Sequence, residues 1–229
     1  KVEGLLLLNH GIFTFAETAE DSYNRMIKYV TIAENYIKKC KLKSKKIYSI
    51  NKKNNNFDIG KLQNQLRKIY FNTTKTKWII KHNGNKDDIL LSNLKNLKKM
   101  FDKGPVTPDH VIRIKSKPLI MESIINKKDN FIENSIMKYV SEYKKYFLKY
   151  KNTIKNAKIA DPLPRIIIVP NLGYFSIGLT QKEEQISNDI FLSMKESIID
   201  SNYISTFKSI NQKEIFKMEY WPLERAKLN

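Results

Sequence analysis

The chain has 229 residues, 41% hydrophobic and 11% aromatic, with a formal net charge of +19. That is enough for one large domain or two small ones, and it excludes a disordered chain. No apolar run approaches the roughly 20 residues of a membrane-spanning helix, and the single Cys40 excludes an internal disulfide framework and suits a reducing compartment.

The first residues carry neither the basic stretch nor the small-residue cleavage site of a signal peptide. A soluble cytoplasmic protein with no membrane partner is therefore the expectation. Residues 38–103 hold 18 Lys and one Arg against four Asp, which is most of the net charge. Such a block raises nucleic acid or another polyanion as a partner. Yet Lys outnumbers Arg 37 to 5, and Arg is the residue that reads phosphates and bases by bidentate contacts. The block reads first as a solvated surface, which disfavours nucleic acid; a non-catalytic basic module binding a polyanion stays as the alternative function.

In chain order, residues 3–9 (EGLLLLN) read as a buried strand, because a short apolar run of this size fills a sheet interior. The following GIFTFA extends or turns it. Thr18 stands as an N-cap, with Asp21 at capping-box spacing. The helix it opens is expected over about 19–39, with Tyr23, Met26, Ile27, Val30, Ala33 and Ile37 on its buried face. Residues 38–57 have no useful period and read as a linker or long loop. Next come a helix near 58–70, a strand near 76–82 and a helix near 89–102. Prolines punctuate 104–120 around an expected strand, Val111 to Lys115. A long helix over about 130–151 aligns Tyr139, Tyr143, Phe147 and Tyr150, a stripe read as core.

The last third repeats the first. IIIVPNLGYFSIGLTQKE (166–183) aligns without a gap on LLLNHGIFTFAETAED at an offset of 162. Asn9 falls on Asn171, Gly11 on Gly173, Phe13 on Phe175, Thr14 on Ser176 and Thr18 on Thr180. The pattern describes two copies of one strand–turn–helix unit. His10, however, faces Leu172, so only the first copy keeps a side chain able to ligate a metal. Of the other histidines, His82 reads as exposed at a strand end. His110 lies beside Asp109, Arg113 and Lys115, where strand alternation would put Val111, Arg113 and Lys115 on one face. No H-x-H or H-E-x-x-H pair, C-x-x-C, G-x-S-x-G elbow or Walker A loop is present. The seven glycines are too scattered for a dinucleotide fingerprint.

GLLLLNHGIFTFAETAEDSYNRMIKYVTIAENYI resembles the C-terminal part of a class II aldolase/adducin-type domain, where such a turn carries the last zinc-ligating histidine. GPVTPDHVIRIKSKPL, DPLPRIIIVPNLGYFSIG and EYWPLERAKL resemble segments of one branch of that family, the bifunctional rhamnulose-1-phosphate aldolase/short-chain dehydrogenase fusions. The resemblance implies an α/β fold with a mixed or antiparallel sheet and flanking helices. It makes residues 1–40 the C-terminal part of an aldolase-like unit and 41–57 a basic linker. Residues 58–229 become a degenerate second lobe leading to a dehydrogenase domain outside the chain. It also implies His10 as a metal ligand, with the H-x-H pair and the catalytic acidic residue upstream of Lys1, so no catalytic residue is assigned. Zinc belongs to the complete protein and is expected not to bind these 229 residues tightly. The implied substrate is a sugar phosphate, and a homo-oligomer is compatible with the reading.

Overall fold

A computed structural model describes residues 2–43, 58–122 and 130–228. The expected linker lies almost wholly outside the described residues. The chain opens with a hairpin, β1 (Gly4–Leu7) and β2 (Gly11–Thr14), followed by helix α1 (Ala19–Lys43). α2 (Ile59–Thr74), β3 (Ile79–Asn83), α3 (Lys86–Ser92), α4 (Leu97–Phe101), α5 (Pro108–Ile114) and β4 (Leu119–Ile120) come next. Then follow α6 (Phe131–Tyr150), β5 (Ile166–Val169), β6 (Gly173–Gly178), α7 (Gln181–Ile204), α8 (Gln212–Tyr220) and α9 (Pro222–Ala226).

The larger sheet has the order β3-β6-β5-β4, antiparallel except for the β4–β5 pair. This is the mixed-sheet α/β fold expected from the sequence. All residues of β5 and β6 are buried, and the pleat sends alternate side chains to opposite faces. Ile167, Val169, Phe175 and Ile177 meet Leu62, Leu66 and Ile69 of α2 and Ile136 and Val140 of α6. Ile166, Ile168 and Tyr174 meet Phe191, Met194 and Ile198 of α7, with Phe101 and Ile114. Helices on both faces explain why β5 reads as an unbroken apolar run rather than an alternating one.

The duplication read from the sequence is present in the backbone. Gly4 pairs with Thr14 and Leu7 with Gly11; at the same offset, Ile166 pairs with Ser176 and Val169 with Gly173. Asn9 and Asn171 both take left-handed conformations, φ 58° and 65°. The amides of His10 and Leu172 donate to Leu7 and Val169 carbonyls at 3.2 and 3.1 Å. Thr18 and Thr180 each accept the amide of the residue three positions on, Asp21 and Glu183, at 3.1 Å.

What differs is burial. The expectation of a buried first strand fails among the described residues, where Leu6 is 75% and Leu8 88% exposed. The expected buried face of α1 fails likewise: Met26 and Ile37 are half-buried, and Tyr23, Ile27, Val30 and Ala33 are exposed. Among the described residues the hairpin has two strands, too few to bury a sheet face unaided. α1 reaches the second lobe near its C-terminus, where Lys41 pairs with Asp200 of α7 at 2.6 Å, a partly exposed contact of small energetic weight.

Two other expectations are corrected. The helix near 89–102 is broken into α3 and α4 at Asn93–Asn96, with Asn96 at φ 64°. The strand expected at Val111–Lys115 is helix α5. Pro108 occupies its first turn, and Thr107 and His110 cap it, so the proline marks a helix start rather than a strand boundary.

The two matched glycines separate shared geometry from packing. Both have positive φ, but a Cβ on Gly173 would stand 2.2 Å from the Asn83 carbonyl oxygen, whereas nothing lies within 4 Å of one on Gly11. Gly173→Ala is therefore expected to cost roughly 3 kcal/mol, a fall of about 6–12 °C in the main thermal transition. Gly11→Ala should leave that transition in place. Circular-dichroism melts of the two variants check the contrast.

Candidate functional site

His10 lies at the apex of the β1–β2 turn, held by the left-handed Asn9 before it and Gly11 after it. Its ring is exposed and packs beside Phe13, with centroids 5.2 Å apart. The matching turn in the second copy carries Leu172, which is buried. There His82 of β3 approaches from the neighbouring strand. Its Nε2 hydrogen-bonds the Leu172 carbonyl at 2.7 Å, and its ring lies 5.2 Å from Phe175, the counterpart of Phe13. His82 is thus half-buried and structural, not exposed as the sequence suggested.

His110 is buried inside α5, where its Nδ1 accepts the Thr107 amide at 3.1 Å. Burial holds its pKa below the ordinary histidine range. The three imidazoles therefore serve different elements. Among the described residues no group of three His, Cys, Asp or Glu side chains could hold a metal ion. A catalytic zinc takes three protein donors, so the described residues by themselves do not fit one.

The sequence reading missed a polar cluster buried between α5, α6 and α8. Lys115, directly after α5, is 4% exposed, and its backbone is strained at φ 71°, ψ 171°. Its ammonium lies over the Tyr143 ring at 4.6 Å and 3.4 Å from the Tyr143 hydroxyl. Tyr143 donates to Glu219 Oε1 at 2.5 Å. With that proton committed, the 2.7 Å bond between the Tyr143 and Tyr220 hydroxyls has Tyr220 as donor. The Ala160 amide in turn donates to Tyr220 at 3.3 Å.

Desolvation dominates this cluster's ionisation. It depresses Lys115 to about 8, against the pull of Glu219 in the other direction. It raises Glu219, only 1% exposed, despite Lys115 and Tyr143 favouring the carboxylate. Each group is driven toward its neutral form. The assignment of residues 111–115 to a strand concealed the cluster, because alternation put Lys115 on a solvated face. The helix-start signature Thr107-Pro108 was the signal that could have found it.

Residues 58–228 match the family model described as "Aldolase class II, second domain". The chain is 24% identical over 236 residues to a Bacillus subtilis (strain 168) protein named "Uncharacterized oxidoreductase YuxG". That alignment covers 99% of this chain and 34% of the relative, so the chain spans about a third of the relative's length. No solved structure matches the chain.

The buried lysine predicts a pH signature. Between pH 8 and 10.5 the unfolded chain holds more protons on Lys115 than the folded one, so this residue's contribution to stability rises with pH across that window. Wild type is expected to gain on Lys115→Met by up to roughly 3 kcal/mol over that range, then level off. Paired denaturant titrations at stepped pH check the sign, which an exposed lysine would not produce.

Proposed function

Residues 58–228 make this chain a member of the class II aldolase second-domain family, and on that premise we propose that it serves a zinc-dependent sugar-phosphate aldolase. The substrate in this reading is a rhamnulose-1-phosphate-like ketose phosphate, cleaved by a retro-aldol reaction. The complete protein also carries a short-chain dehydrogenase.

The observation that carries the proposal is the duplicated hairpin with a histidine at only one apex. The β1–β2 and β5–β6 turns share register, left-handed asparagine and N-cap. In the first copy the turn presents His10 outward on a short, backbone-fixed support. In the second the same position is apolar and packed. His10 is the imidazole this chain contributes, and the other donors come from polypeptide outside residues 1–229. The exposed leucines of β1 and the exposed apolar side chains of α1 support docking of the first unit on that further polypeptide. The second lobe supplies a metal-free body against which the first unit is held. The oxidoreductase name of the Bacillus subtilis relative, of which this chain covers 34%, supports a redox domain in the whole protein.

The isolated chain is accordingly expected to carry far less than one zinc per molecule after dialysis and to show negligible lyase activity. Inductively coupled plasma mass spectrometry of the purified chain measures the first. Tight stoichiometric zinc on the monomer would refute the assignment of a single ligand to this segment.

A further inference from the structure

A pocket of about 370 Å³ lies where the β3 edge of the larger sheet meets the start of α7. Gln63 of α2, Ile79 and Lys81 of β3, and Glu184 and Gln185 of α7 line it. Its volume lies in the range that encloses small metabolites, and none of its lining residues belongs to the β1–β2 unit or to the Lys115 cluster.

Glu184 is the unusual member, a carboxylate only 3% exposed. Its place is fixed from two sides. β6 and α7 approach so closely that a Cβ on Gly178 would stand 2.2 Å from the Glu184 amide nitrogen. A relay then aims the side chain: Asn83 Nδ2 donates to Ser176 Oγ at 2.8 Å, and Ser176 donates to Glu184 Oε1 at 2.5 Å. Among the described residues Oε2 has no hydrogen-bond partner, and no cationic side chain stands within ion-pair distance of the carboxylate. Nor is Oε2 sealed from solvent as Glu219 Oε2 is; it opens into the pocket. The dipole of α7 favours the charge but leaves that oxygen open, where a buried carboxylate ordinarily finds a donor.

The internal repeat shows that the architecture does not demand this acid. At the offset of 162, Ser176 falls on Thr14 and Glu184 on Ser22. In the first copy Thr14 donates to the Ser22 carbonyl at 2.8 Å and Ser22 to the Thr14 carbonyl at 2.9 Å. Strand and helix are tied there by two neutral hydroxyls. The second copy spends a charge on the same tie and turns half of it toward a pocket.

The other lining groups define what would answer it. Gln63 commits its amide nitrogen to the Ile80 carbonyl, and Gln185 commits its own to Asp189 at 2.8 Å. Both carbonyl oxygens remain as acceptors, so the Glu184 side of the pocket calls for a positively charged donor. Lys81 is exposed on the other side, and the two opposite charges stand apart with the pocket between them. A bare cation would be repelled by Lys81 and an anion by Glu184, whereas a zwitterion satisfies both. Ile79, 39% exposed, adds an apolar wall.

We propose that this pocket binds the zwitterion of an aliphatic α-amino acid, with its ammonium on Glu184 and the glutamine oxygens, its carboxylate on Lys81 and its side chain on Ile79. The site is independent of the aldolase reading, because it uses no metal, no phosphate and no residue of the first unit.

Titration calorimetry of the full 229-residue chain tests it, with L-leucine, 3-methylbutylamine and 4-methylpentanoate as probes. The two analogues keep the aliphatic group and lack, respectively, the carboxylate and the ammonium. The expected result is saturable one-site binding of leucine, with each analogue about tenfold weaker. Glu184→Gln, which keeps shape and an acceptor for Ser176, should weaken leucine about tenfold. Lys81→Ala should weaken leucine about threefold and tighten 3-methylbutylamine, so that the preference for the zwitterion is lost. Lys81 is exposed, so folding is not at stake in that variant. Absence of saturation by leucine, equal wild-type affinity for leucine and the amine, or an unchanged preference in Lys81→Ala would each overturn the proposal.

Discussion

The requirement that two adjacent strands be buried on every side governs this molecule. β5 and β6 expose no residue, and a buried peptide group without a partner costs as much as a lost hydrogen bond. Both strands must therefore be paired along both edges. β3 closes the outer edge of β6 and β4 the outer edge of β5. The pairing at β4 continues past its two residues, since the Met121 amide reaches the Ile168 carbonyl at 2.9 Å. Even the turn is tied in, by His82 on the Leu172 carbonyl. Helices α2 and α6 on one face and α7 on the other then follow from the two rows of apolar side chains that the pleat presents.

Much of this was legible in the sequence. IIIV, short and uniformly apolar, fits a strand covered on both faces, and the recurrence of Asn-x-Gly and the threonine cap at one offset located the second strand–turn–helix unit and the start of α7. The same logic failed for the first copy. Periodicity reports what a segment is able to bury, not whether a partner stands opposite. GLLLLN and the face of α1 have the chemistry of core without a core among the described residues. At Pro108 the failure was local: proline fits a strand boundary and a first helical turn equally well, and only the Thr107–His110 cap decides between them.

The polar interior was less legible still. Lys115, Tyr143, Glu219 and Tyr220 come from three separated segments, and nothing in any one of them announces the others. Tyr143 was placed correctly on the buried stripe of α6, but its hydroxyl proved as consequential as its ring. A tyrosine of a helix stripe can pack by its ring while its hydroxyl ties a buried lysine to a buried carboxyl group, as Tyr143 does. Replacing Tyr143 with phenylalanine would keep the packing and leave Glu219 Oε1 and the Tyr220 hydroxyl without that partner.

The exposed β1 strand has a consequence for how the chain behaves at high concentration. Among the described residues β1 pairs only with β2, so one row of its backbone donors and acceptors is left open by them, next to exposed leucines. An open, apolar margin of this kind templates strand addition from other molecules. Self-association of the purified polypeptide would then run through that margin, and a lysine or proline placed on β1 is the substitution that would quiet it without touching the larger sheet.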